Sequence, residues 1–148
     1  MKHIVIAAMA LSLGLASACS SEMPVSVQNP SHDACAGVAE AGIHETVAEL
    51  RAQTESVERL YEQVGPKTAT RPVGALVRVR ATRGMSPQWL GRALECNADG
   101  DARGSSPLAL AGVRSEISPT STGFNVEIRS NNPTVAAEVL RRASAGTW

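Results

Sequence analysis

The 148-residue sequence predicts an α+β domain, an N-terminal amphipathic helix followed by a strand-helix-strand-strand-helix unit. Three observations predict it. Period-two alternation marks Ala75 to Ala81 and Phe124 to Arg129 as strands. Ser86-Pro87 and Asn132-Pro133 each place a capping side chain before a proline, the pattern that opens a helix. Between residues 36 and 64, apolar side chains recur at spacings of three and four.

In chain order, the segment 35–64 comes first after the N-terminal region. Ile43, Val47, Leu50, Thr54, Val57, Tyr61 and Val64 fall on one helical stripe, and Gly65-Pro66 stops it. Three heptads with Thr54 in the middle favour docking on the rest of the chain over a freestanding coiled coil. Residues 67–72 form a linker, and the small α+β domain spans 73–145. Its first strand directs Val77 and Val79 one way, Arg78 and Arg80 the other. The helix opened by Ser86 has Trp89, Leu90, Ala93, Leu94 and Cys96 on its apolar side, with Trp89 read as core packing and helix docking. A Gly-, Asp- and Ser-rich loop over 98–111 leads to a second strand, Val113 to Ser118, and a turn over 119–123. The third strand points Phe124, Val126 and Ile128 inward, and the last helix buries Val135, Val139, Leu140 and Ala143.

Connection rules place the third strand at the centre of a three-stranded sheet, with helices on one face. The order resembles a split β-α-β sandwich, ferredoxin-like but lacking the last strand. The opposite face then shows Arg78, Arg80, Arg114 and Arg129 beside Glu116 and Glu127, an interaction face. The first strand is left as an open edge, to be covered by a second copy in a homodimer, a partner's strand or the N-terminal segment.

Composition narrows function. Four aromatic residues (Tyr61, Trp89, Phe124 and Trp148) leave no stacking platform for nucleic acid or sugar. Residues 31–64 carry seven acids against two arginines, a net −5, and residues 65–148 carry eleven bases against six acids, a net +5. The two parts attract one another and can dock within one chain. No run of four Lys or Arg marks a patch for anionic lipid.

Lys2, the apolar run Ile4 to Leu15 and the small residues Ala16-Ser17-Ala18 have the three parts of a cleavable export signal over residues 1–18. The run is too short for a permanent span, which takes roughly 20 residues. Leu15-Ala16-Ser17-Ala18-Cys19 resembles the lipobox of bacterial lipoproteins, with the leucine one place early. The resemblance implies a diacylated Cys19 and attachment to a membrane, and Ser20 resembles the residue that sends such proteins to the outer membrane, facing the periplasm. Without lipid the protein would be secreted. Residues 19–34 then form a flexible tether of Ser, Pro, Gln and Asn.

Cys35 and Cys96 remain as an even pair in an oxidising compartment. A bond between them would close a loop of about 60 residues and contribute roughly 4 kcal/mol on the chain-entropy model. Separate buried thiols, or a metal-binding or redox accessory role using Cys35, Cys96 and His32, with His44 as a further ligand, are the alternatives. No catalytic constellation appears: His32 and His44 are the histidines left after the leader, and no G-x-S-x-G elbow is present. Asn97 to Asp101 imitates the start of a calcium loop, but Ala102 and Leu108 stand where glycine and glutamate are needed. The expectation is therefore a protein that is not an enzyme, holds no cofactor or metal, and acts by binding.

Arg80 to Arg92 with Leu94-Glu95-Cys96, and Gly123-Phe124 with Ile128-Arg129-Ser130 and the closing helix, resemble a group of small exported bacterial proteins over residues 73–143. In that group a histidine commonly follows the cysteine and a second cysteine lies in the next loop. This chain has Asn97 and Ser106 there. The resemblance implies export and brings no activity with it.

Overall fold

A computed structural model describes residues 25–28, 35, 40–65, 69–101 and 104–147. The proposed leader, Cys19 and His32 lie outside these residues. The elements are β1 (Val25–Gln28), α1 (Glu40–Ala52), β2 (Thr54–Gln63), β3 (Thr70–Arg80), α2 (Pro87–Gly100), β4 (Val113–Pro119), β5 (Gly123–Ser130) and α3 (Pro133–Ser144), with a 3-10 turn at Pro107–Ala109 before β4. The class is α+β. The strands form one antiparallel sheet in the order β1-β4-β5-β3-β2.

The unit from β3 to α3 follows the predicted order, with β5 between β3 and β4. Ser86 caps α2 by accepting the Trp89 N–H at 3.2 Å, and Asn132 caps α3 by accepting those of Thr134 and Val135 at 2.9 and 3.4 Å. Each cap satisfies donors that the first helical turn leaves free.

Two expectations about the N-terminal part are corrected, and each adds a strand, giving a sheet of five rather than three. In the first, the helix expected over 35–64 ends at Ala52. Gln53 N–H closes the last turn on Glu49 O at 2.9 Å, and Thr54 Oγ1 donates to Leu50 O at 3.0 Å. From Thr54 the chain turns into β2 and pairs with β3. Thr, Val and Tyr fit a pleated strand better than a helix, and β3 offered an unpaired edge. The helical spacing of Thr54, Val57, Tyr61 and Val64 arose because register shifts at Thr54/Ser56 and Leu60/Tyr61 break the two-residue alternation. The open edge left for a homodimer or partner strand is therefore filled by the chain's own N-terminal half. The second correction concerns residues 25–28, read as tether. They pair with β4, Val25 opposite Ile117 and Gln28 opposite Arg114, and cover its other edge. The Val-Ser-Val-Gln alternation was too short to outweigh its polar surroundings.

Charge decides how β2 docks. Glu55 meets Arg80 at 2.8 Å, Glu58 meets Arg78 at 2.6 Å and Glu62 meets Arg71 at 2.9 Å. Acidic front and basic back attract as their net charges predict, through three exposed pairs. Exposed pairs contribute only about 0.2–1 kcal/mol each, so they select the partner strand more than they stabilise it.

Hydrophobic burial supplies the larger stabilisation. One face of the sheet (Ala75, Val77, Val79, Val113, Ile117, Phe124, Val126 and Ile128) packs under Val47 and Leu50 of α1, Leu90 and Leu94 of α2, and Val139 and Ala143 of α3. Burying one such aliphatic side chain is worth about 1.5–3 kcal/mol. The central strands approach closely at Gly74, whose φ is +152° and whose place has no room for a Cβ against the carbonyl of Ile128. Trp89, expected in the core, is 39% exposed at the first turn of α2, and Leu90 takes the buried position beside it.

Candidate functional site

Cys35 and Cys96 are joined by a disulfide with Cα atoms 4.9 Å apart. Cys96 is buried on the core side of α2, and Cys35 is half-buried against the same cluster. The bond ties the chain just ahead of α1 to the helix that α1 packs on. With both sulfur atoms bound to each other, neither serves as a thiolate ligand in this state. Among the described residues no group of three His, Cys, Asp or Glu is gathered to hold a metal ion.

The loop that imitates a calcium site has a structural use. Asn97 to Gly100 complete α2. The Asp101 carboxylate accepts the Ser106 N–H at 2.6 Å and the Ser105 hydroxyl at 2.9 Å, and so closes the turn behind the helix. Arg142 of α3 donates to the carbonyls of Gly104 and Ser106 and is itself oriented by Glu138 at 2.7 Å. Hydrogen bonds from Arg141 and Arg142 hold the Glu138 carboxyl at about 2, well below its ordinary 4.5. On α2, burial and then the charge of Asp99 push the Glu95 carboxyl upward.

The four arginines of the predicted interaction face share one side of the sheet, but their surroundings divide them. Arg78 and Arg80 are spent on Glu58 and Glu55 of β2. Arg129 contacts Glu127 at 2.7 Å, and its Nε is buried with no partner among the described residues. Arg114 is exposed and makes no ion pair among the described residues. Register brings Arg114 directly opposite Arg129, and Glu116 opposite Glu127. The outer face thus alternates a row of acids with a row of arginines. Sequence reasoning could find these residues by their period, but not the like-with-like pairing, which depends on the register set at the β4–β5 turn.

Two adjoining depressions lie at the end of the sheet where β4 begins and β5 ends. The larger, about 630 Å³, is lined by Ala111, Gly112, Val113, Arg114, Asn132 and Val135 among others. The smaller, about 160 Å³, lies among Glu62, Val73, Arg114 and Arg129. Arg114, Ser130 and Asn131 border both. No helix among the described residues is long and apolar enough to cross a membrane. Comparison with protein-family models, with curated proteins and with solved structures finds no match to the chain.

Proposed function

We propose that the chain is a non-enzymatic lipoprotein of the bacterial envelope. Lipid on Cys19 holds it to the outer membrane facing the periplasm, and its α+β domain works as a binding or protein-interaction module. The observation that carries the reading is the sheet face that no described helix covers, where Arg114 and Arg129 stand opposed beside open depressions. The Cys35–Cys96 bond supports the address, because such bonds persist in oxidising compartments and are rare in the cytosol. Glu55, Glu58 and β2 occupy the other half of the face, so the binding surface is the β4–β5 half.

Fractionation of native cells, with a photo-crosslinking residue placed in turn at Glu116 and at Arg141, tests both parts. The reading expects the protein in the membrane fraction and its release by Cys19→Ser. It also expects a discrete adduct from Glu116 on the sheet face and none from Arg141 on α3. A soluble cytosolic protein that gives no adduct from either position contradicts it.

A further inference from the structure

We propose that the depressions between the start of β4, the end of β5 and the start of α3 bind a phosphoryl group bridged by Arg114 and Arg129. The inference rests on the reading of the β4–β5 half as the binding surface and names what it takes. Directly opposed residues of an antiparallel pair have Cβ atoms about 4.5–5.5 Å apart, and like charges there repel. The sequence carries that repulsion at Arg114 and Arg129, and among the described residues Glu127 is the only acid paired with either. Glu62 borders the smaller depression, but Arg71 already holds it at 2.9 Å.

An arginine has five donors, and its planar fork suits oxyanions. Glu127 takes one donor of Arg129, and its buried Nε has no partner among the described residues. A carboxylate would neutralise one of the two guanidinium charges. A phosphate monoester offers more charge and three free oxygens, enough to engage both forks at once. The larger depression exceeds a bare phosphate, and its far wall of Ala111, Gly112 and Val135 is small and apolar, suited to the carbon part of an ester. The α3 N-terminus adds little, because Asn132 Oδ1 already accepts the Thr134 and Val135 N–H groups.

A phosphoryl group of this kind comes from a soluble phosphate ester or a lipid headgroup, and two arms of one experiment separate them. The mature chain from residue 19 with Cys19→Ser, which carries neither leader nor lipid, is titrated with glycerol 3-phosphate by NMR. It is also floated with vesicles of phosphatidic acid, a phosphate monoester, against vesicles of phosphatidylcholine, a diester. Binding in at least one arm is expected, weakened about tenfold or more by Arg114→Gln and by Arg129→Gln, the loss of one charge-assisted contact. Arg83→Gln, in the turn beyond the other end of β3, should leave it unchanged. Arg114 is exposed, so its variant keeps the fold and carries the test if Arg129→Gln does not. Absence of binding in both arms overturns the proposal, as does binding that survives both substitutions or falls equally with Arg83→Gln. A sheet-face adduct in cells without phosphoryl binding would sink this inference and leave the proposed function standing.

Discussion

Opening the Cys35–Cys96 bond is the most informative perturbation of the fold. The cysteines are 61 residues apart in sequence, and the bond closes that length of chain. On the chain-entropy relation, freeing a loop of about 60 residues lowers stability by roughly 4 kcal/mol. A domain of this size is stable by only about 5–15 kcal/mol, so the loss is a large fraction of the whole. Cys35→Ala is the cleaner variant, because Cys35 is half-buried whereas Cys96 is 3% exposed and its replacement would also disturb the core. Urea unfolding followed by circular dichroism measures the loss. With a slope of about 1–1.5 kcal/mol/M, the midpoint should fall by roughly 3 M, and the slope should rise because the unlinked chain unfolds further. The reduced wild-type protein should follow the same curve. Oxidised, reduced and Cys35→Ala proteins that agree within about 1 kcal/mol would refute the reasoning, since the cross-link would then constrain nothing in the unfolded chain.

Four further outcomes are expected. Gly74→Ala places a Cβ against the Ile128 carbonyl at the β3–β5 contact, and thermal melting should show a loss of about 3 kcal/mol or more. Leu90→Ala empties a fully buried position under α1 and the sheet and should cost about 2–5 kcal/mol by urea midpoint. Arg142→Ala frees the Gly104 and Ser106 carbonyls and should cost about 1.5–3 kcal/mol, with faster amide exchange at residues 104–106. The Glu138 carboxyl is lower in the folded chain than its ordinary 4.5, so its contribution is complete above that pH and fades as pH falls toward about 2. Glu138→Gln should therefore flatten the stability profile between pH 4.5 and 2 relative to the parent.

The parts of the fold that can be read in the sequence are those where local and tertiary signals agree. Phe124, Val126 and Ile128 alternate without interruption and are buried, with Asn125, Glu127 and Arg129 on the other face. The helices α2 and α3 begin at Ser86-Pro87 and Asn132-Pro133 because cap and proline act within a few residues. At β2 the signals disagree. Two register shifts disguise the strand, and its apolar residues fall on a helical stripe. The counter-signal was in the charges, since Glu55, Glu58 and Glu62 have arginine partners on β3 and beside no other described element. Trp89 was misplaced for a related reason, since its spacing permits either side of the first helical turn and Leu90 wins the core. The cysteine pairing could be anticipated from parity and the expected oxidising compartment. The opposition of Arg114 and Arg129 could not, because it exists only after the hairpin fixes which residues stand across from one another.

The account depends most on the molecule being an exported protein whose first mature residue carries lipid. Intact-mass and peptide mass spectrometry of protein purified from its native cells tests this directly. The account predicts a chain beginning at Cys19 with the mass of a diacylglyceryl group, and a peptide pair linking Cys35 to Cys96. A chain that retains Met1, with both of those thiols free, would contradict it.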